Sequence, residues 1–189
     1  MNEHFRTAED YELFIYTLSE RFPIIKRSTI RFIRIGSSLA RVAGELFFED
    51  DLRLVIRERV IFNRLPITLD WYGYEIYQKD RKVSWYDPQP HPNDQSLQNT
   101  FPHHKHIHPN IKNNRIPAPN MSFTQPNIIA LISEIGSILE NKSVKFTLSS
   151  KLPAHVCVPA DITHSTLGLN FSQNPLSSRR FCSFFVFIE

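Results

Sequence analysis

Apolar residues recur at helical spacing in two stretches of the chain. In the first, residues 7 to 22, they lie three and four positions apart, with Thr7 placed to cap the start and Pro23 placed to end it. The second stretch, residues 127 to 140, carries a single apolar stripe. Each stretch is predicted to form an amphipathic helix.

Between these stretches, from residue 24 to residue 87, apolar and polar residues alternate. Such alternation is typical of strands whose two faces meet different surroundings. Polar turns at residues 49–51 and 79–81 join neighbouring runs as hairpins. Five strands are predicted, at residues 28–35, 38–50, 52–62, 68–78 and 82–87. The predicted fold is α+β, with a five-stranded antiparallel meander sheet flanked by an N-terminal and a C-terminal helix.

The pattern is lost between residues 88 and 126, which hold eight of the thirteen prolines. A long segment without periodicity inside a compact domain is usually functional or disordered. Its histidines and aromatic residues favour function, and we predict a long Pro/His-rich loop. Residues 141 to 189 are rich in serine and threonine and poorly patterned. We therefore expect a domain at residues 1 to 140, followed by a C-terminal extension that adds little to folding.

Composition and charge narrow the class of protein. With 41% hydrophobic and 22% charged residues the composition is globular, and no apolar run approaches the about 20 residues that span a bilayer. These features predict a cytoplasmic protein that does not enter a membrane. The net charge is +3, but residues 141 to 189 hold five basic and two acidic residues and account for all of it. Any surface for nucleic acid on the neutral main body must therefore be local.

Four segments together resemble one known family. They read GELFFEDDLRLVIRE, YGYEIYQKDRKVSWYDPQPHP, TFPHHKHI and, before the second helix, RIPAP. In this order they are similar to the TumE-like toxins of bacterial toxin–antitoxin systems, over about residues 11 to 140. The resemblance implies a small cytoplasmic toxin that acts on RNA. It also implies an antitoxin partner, typically a helix-turn-helix protein encoded beside the toxin.

The segment FPHHKHIHPN supplies candidate catalytic residues, because it places four of the eight histidines within six positions. Cleaving RNA without a metal needs groups that exchange protons near pH 7 and a cation that stabilises the charge on phosphorus. An aspartate and a histidine at the start of the same predicted loop can orient an imidazole or share in proton transfer. In an extended segment His104 and His106 would point to one side and Lys105 to the other. The candidates are Asp87, His91, His103, His104, Lys105 and His106.

The strands supply a candidate surface for RNA. Alternating arginines would contact phosphates, and aromatic residues, Tyr86 among them, would stack on unpaired bases. A plainer interpretation is a solvated face in which the arginines pair with Glu45, Glu49 and Glu58. Glu58 also interrupts an apolar run, so it is either a paired buried carboxylate or a site residue. The arginines are Arg41, Arg53, Arg57 and Arg59.

Two other functions compete with the metal-independent ribonuclease, for which no cofactor is expected. His104 and His106 with Asp87 make a three-ligand zinc or manganese site with an open position, although Lys105 between the histidines opposes a cation. Alternatively the chain is a non-catalytic interaction module, in which RIPAP and the Pro/His-rich loop bind the antitoxin. Toxicity that survives loss of the histidines would favour this last alternative.

Overall fold

The computed structural model describes residues 5–149, with side chains as far as Lys142. Most of the predicted C-terminal extension lies outside the described residues, so its small role in folding stays a prediction. The elements are α1 (Ala8–Tyr16), α2 (Leu18–Arg21), β1 (Arg27–Ser28), β2 (Arg31–Ile35), β3 (Leu39–Phe47), β4 (Leu52–Ile61), β5 (Thr68–Gln78), β6 (Arg81–Asp87), a 3-10 helix (Gln95–Thr100), β7 (His104–Ile107), β8 (Arg115–Pro117) and α3 (Ile128–Ser149).

One antiparallel sheet organises this part of the chain. β1 and β2 both pair with β3, and the order continues through β4, β5, β6, β7 and β8. The α+β class, the antiparallel pairing and the two flanking helices are confirmed. The prediction of five strands is wrong, because the sheet has eight.

One additional strand arises because the first predicted strand is split opposite Gly44. Gly44 has a φ of +148°, and a Cβ built on it would lie only 2.5 Å from the Cα of Ile30. The chain at Ile30 thus passes so close to Gly44 that no side chain fits there. The regular strand is interrupted at Thr29 and Ile30, although the register is the same on both sides. As a result β1 pairs with β3 on one side of Gly44 and β2 pairs with it on the other.

The other two additional strands lie within the predicted Pro/His-rich loop. β7 pairs with β6, and β8 pairs with β7. They are four and three residues long, and so short a strand shows no readable period. The prediction of a loop is therefore wrong for these two segments.

Both predicted helices are present, with different ends. The side chain of Thr7 accepts a hydrogen bond from the Asp10 amide at 3.1 Å, as the predicted cap requires. The first helix is interrupted at Thr17, whose hydroxyl donates to the Leu13 carbonyl at 2.8 Å and competes with the backbone ladder. α3 runs to Ser149, past the predicted end at residue 140.

The helices pack on one face of the sheet, which we call the helix-side face. Tyr11 of α1 hydrogen-bonds Glu58 of β4 there. Asn127, just before α3, donates to the Tyr74 hydroxyl of β5 at 3.1 Å. The opposite face, against which neither α1 nor α3 packs, we call the open face.

A buried carboxylate joins α1 to the helix-side face. Glu58 is 2% exposed and accepts hydrogen bonds from the hydroxyls of Tyr11 and Tyr74, both at 2.6 Å. Burial raises the pKa of Glu58 to about 7, although the two hydroxyls act to lower it. Of the two interpretations that the sequence left open, Glu58 fits the paired buried carboxylate.

We predict that Glu58 makes the protein less stable as the pH rises. Folding raises the pKa of this carboxyl from 4.5 to about 7. Its contribution to stability is therefore fully present below about pH 4.5 and is lost as the pH rises through about 7. Glu58→Gln should lack this loss, so the difference in unfolding free energy between the two proteins should change by about 2–3 kcal/mol between pH 4.5 and 8. Urea unfolding across that range measures the difference, and parallel curves would contradict the prediction.

Candidate functional site

The pairing of β6 with β7 brings several predicted catalytic residues to one end of the sheet. In this register Asp87 lies opposite His104, and Trp85 lies opposite His106. Because side chains alternate along a strand, these four residues share one face. Trp85 also pairs with Glu75 of β5, which continues the same face toward the arginines. The site therefore lies on the open face.

Three side chains converge here, and we call them the His–Asp centre. The Nε2 atoms of His104 and His106 lie 2.9 Å apart, and each lies 3.3 Å from an oxygen of Asp87. His104 and His106 are 1% and 3% exposed, whereas Asp87 is half-buried. Asp87 is thus the member of the centre with most access to solvent.

Backbone carbonyls determine which imidazole nitrogens carry protons. Nδ1 of His104 lies 3.1 Å from the carbonyl oxygen of Pro102, and Nδ1 of His106 lies 3.0 Å from that of Ile111. A carbonyl oxygen only accepts, so both Nδ1 atoms donate. The second nitrogen of each neutral imidazole is then an acceptor. While both imidazoles are neutral, both Nε2 atoms therefore direct lone pairs toward each other and toward the Asp87 carboxylate.

Asp87 is held by donors on both of its oxygens. The Trp85 indole donates to Oδ2 at 2.6 Å, and the Gln89 amide donates to Oδ1 at 2.9 Å. Burial acts to raise the pKa of Asp87, but a hydrogen bond from His106 in its protonated form, together with those from Gln89 and Trp85, outweighs it and brings that pKa down to about 2. Burial lowers the pKa of His104 below its ordinary value. Near neutrality the aspartate is therefore ionised, and His104 is favoured in its neutral form.

Two further residues border the His–Asp centre. The ring centroid of His91 lies 4.9 Å from that of His104. Arg115 of β8 pairs with His106 of β7, and its Nε is buried with no hydrogen-bond partner among the described residues. Sequence reasoning missed Arg115, although it is the basic residue of the RIPAP segment. The missing information was the short β7–β8 pairing that places it beside His106.

The other two predicted catalytic residues contact the helix-side face. Nζ of Lys105 lies 2.8 Å from a carboxylate oxygen of Glu134 on α3. Nδ1 of His103 lies 2.8 Å from the hydroxyl of Tyr72, a buried residue of β5. The structure thus brings together Asp87, His91, His104 and His106 and separates His103 and Lys105 from them.

Tyr86, predicted to stack on RNA bases, also lies on the helix-side face. It is 5% exposed, its hydroxyl donates to Glu134, and Nζ of Lys105 lies 5.2 Å from its ring centroid. Burial and the contact with Glu134 raise the pKa of Tyr86 above its ordinary value. Its ring therefore has no open surface on which a base could stack.

The four predicted RNA-binding arginines are on the open face, and three of them are paired there. Arg41 is exposed and has no ion-pair partner among the described residues. Most of the arginines are thus paired, but only Arg53 meets one of the three predicted partners, Glu45. The pairs are Arg53 with Glu45 at 3.2 Å, Arg57 with Glu75 at 2.7 Å and Arg59 with Asp70 at 2.6 Å.

Comparison with known families identifies the class of protein. The family model described as Toxin TumE matches residues 15–139, which is 125 of the 189 residues. The chain therefore belongs to the TumE family of toxins, and as the toxin of a toxin–antitoxin system it has an antitoxin as its partner. Neither the curated proteins nor the solved structures gave a match. In the part of the chain that the structure describes, no helix is long and apolar enough to cross a membrane.

We predict that Glu134 contributes to stability through the contacts that hold Lys105 on the helix-side face. Glu134→Ala would remove the acceptor of the Tyr86 hydroxyl and the partner of Lys105, at a cost of about 1–2 kcal/mol. Glu140→Ala, at an exposed position of the same helix, is the control and should cost clearly less. Urea unfolding compares the two. Equal costs would mean that Glu134 does not hold Lys105 away from the His–Asp centre.

Proposed function

We propose that this toxin cleaves RNA at the His–Asp centre. The observation that carries the proposal is that Asp87, His104 and His106 share the open face with the arginines. Groups that exchange protons and groups that bind phosphates thus lie on one face of the sheet, where His104 and His106 are buried and Asp87 reaches solvent. RNA is the polyanion whose cleavage such a combination serves.

A depression on the open face connects the two kinds of group. It has a volume of about 250 Å³, and its lining includes Arg57, Lys82, Trp85 and Asp87. The two cations are placed to contact backbone phosphates. Trp71, 42% exposed and also on its wall, offers the open aromatic surface for a base that Tyr86 lacks.

The reaction that fits these groups is an internal transfer at phosphorus. The ribose O2′ attacks phosphorus and gives its proton to a base, while the bond from phosphorus to O5′ breaks and O5′ takes a proton from an acid. The products are a 2′,3′-cyclic phosphate and a 5′-hydroxyl. His104, whose neutral form is favoured, is assigned as the base, and His106 in its protonated form is assigned as the acid, while Asp87 orients them. Arg115, which pairs with His106 across β7 and β8, is assigned in place of Lys105 to stabilise the charge on phosphorus.

The geometry bears on the prediction that no metal is needed. A metal-free mechanism places base and acid on opposite sides of the phosphate, whereas the two Nε2 atoms lie 2.9 Å apart. No phosphate fits between them, so His104 and His106 would have to separate when RNA binds. Activity that persists in EDTA would support the metal-free mechanism.

The remaining parts of the proposal concern partner and compartment. We place the activity in the cytoplasm, where RNA is available, and assign the antitoxin to the helix-turn-helix class. A helix-turn-helix protein encoded beside the toxin, and its co-purification with this chain, would support that assignment.

We predict that His104→Gln and His106→Gln each abolish toxicity and slow RNA cleavage by about 10²–10⁴-fold, because each loses a proton-transfer group. Glutamine keeps a polar side chain at a buried position, so folding and antitoxin binding should persist. His108→Ala is the control, since the imidazole of His108 contacts the carbonyl of Lys82 rather than the His–Asp centre. Gel assays on RNA and growth on induction are the measurements. Full toxicity in both glutamine variants would favour the interaction module instead.

We predict that the arginines of the open face contribute salt-dependent affinity for RNA. Arg41→Ala and Arg57→Ala should each lower the slope of log affinity against log salt concentration by about 0.7, the value for one phosphate contact to a single strand. Arg34→Ala is the matched control, because Arg34 pairs with Glu9 and Glu12 of α1. Fluorescence anisotropy with labelled single-stranded RNA measures the slopes. An equal effect of Arg34→Ala would show that the contribution is not specific to the open face.

A further inference from the structure

We infer that the His–Asp centre is a binding site for one divalent transition-metal ion, held by Nε2 of His104, Nε2 of His106 and the carboxylate of Asp87. These residues supply ligand atoms that all lie within 4.8 Å of one another. The inference concerns binding and stands on the geometry of the centre. Only the catalytic use of the ion rests on the proposed ribonuclease function.

The first argument is that three acceptors face one another. The carbonyls of Pro102 and Ile111 take the Nδ1 protons, so neither Nε2 carries a proton while the imidazoles are neutral. The two Nε2 atoms then lie 2.9 Å apart with their lone pairs facing each other, and each lies 3.3 Å from an oxygen of the Asp87 carboxylate. Such an arrangement of acceptors is repulsive by itself, and a cation at its middle converts the repulsion into attraction.

The second argument is that the spacings fit coordination. Imidazole nitrogens and carboxylate oxygens bind zinc at about 2.0–2.2 Å, and ligands at that distance with angles of about 90–110° lie roughly 3.0–3.4 Å apart. The observed spacings are 2.9 Å and 3.3 Å. Three protein ligands leave a further position free, as in catalytic rather than structural zinc sites.

The third argument is the support behind each ligand. Histidines that bind metals usually donate their second nitrogen to a carbonyl or carboxylate, which fixes the ring and makes the other nitrogen a better ligand. Both histidines here do so, and Asp87 accepts from Trp85 and Gln89. The Trp85 ring also lies 3.9 Å from that of His106, centroid to centroid. The centre is thus held in place by groups that are not ligands.

The structure also removes one objection raised from the sequence, the lysine between the two histidines. Lys105 lies on the other face and pairs with Glu134 at 2.8 Å. One carboxylate and two neutral imidazoles leave a bound dication with a net charge of about +1. With the ion bound, Nε2 of His104 and Nε2 of His106 could not transfer protons, so the ion would replace them in the proposed cleavage. Its charge would attract a phosphate, and it would act as a Lewis acid on it.

The test is calorimetric titration of the full chain with Zn²⁺ alone, after treatment with EDTA and dialysis. Residues outside the described part include His155, Cys157, His164 and Cys182, which can also bind zinc. Variants therefore identify the site. Asp87→Asn keeps the size of the side chain and should weaken one site by more than about 100-fold. Asp70→Asn, an exposed aspartate of the open face, should leave that site unchanged.

Trp85→Phe supplies a second and milder change. It keeps an aromatic ring against His106 but removes the donor to Asp87, and loss of such a supporting hydrogen bond should weaken zinc binding by about 10-fold or more. Circular dichroism establishes that each variant is folded. The inference would be overturned if wild type and Asp87→Asn gave the same titration, or if wild type bound no zinc. The cation of the centre would then be a proton shared between its members.

RNA cleavage is measured separately, so the two proposals can fail independently. Zinc binding that is lost in Asp87→Asn, in a protein that cleaves no RNA, would support the metal site and remove the ribonuclease. Cleavage that persists in EDTA, in a protein that binds no zinc, would support the ribonuclease and overturn the metal site.

Discussion

The register in which β7 pairs with β6 is the constraint on which the site depends. It places Asp87 opposite His104 and Trp85 opposite His106, so an acid and two imidazoles meet although 17 positions separate Asp87 from His104 along the chain. A slip of one residue would turn His104 and His106 toward α3 and bring Lys105 to the open face. The contact between Lys105 and Glu134 opposes such a slip, because it holds the lysine on the helix-side face. The ion pair thus positions the histidines without touching them.

Two glutamates connect the helices to the sheet in the same way. Glu58 on β4 receives the hydroxyl of Tyr11 from α1, and Glu134 on α3 receives the hydroxyl of Tyr86 from β6. Apolar packing is not directional, whereas each of these contacts is satisfied in only one placement of the helix. These two contacts hold α1 and α3 on the helix-side face. The open face is therefore not covered by either helix.

The sequence was most informative where a pattern runs over many residues. Alternation from residue 38 to residue 87 predicted β3 to β6, with hairpin turns at residues 49–51 and 79–81. The shared side of His104 and His106 was predicted separately, for an extended segment, and is also present. Alternation could not predict β7 and β8, since three or four residues between prolines carry no measurable period. The ion-pair partners of the arginines could not be predicted either, because Arg57 pairs with Glu75 and Arg59 with Asp70 only once β5 is paired with β4. Long-range pairing, rather than local preference, thus decided which charged groups became neighbours.

The pairing of the open-face arginines has a consequence for what this surface can hold. A phosphate that binds Arg57 must displace the carboxylate of Glu75, so the surface exchanges one anion for another and does not simply gain one. A monovalent anion gains little from such an exchange. A ligand with several linked phosphates can replace several carboxylates at once. It loses its translational freedom only once, on the first contact, so the later contacts add affinity at a smaller entropic cost. In the proposed function, the open face would therefore bind chains of linked phosphates in preference to single free anions.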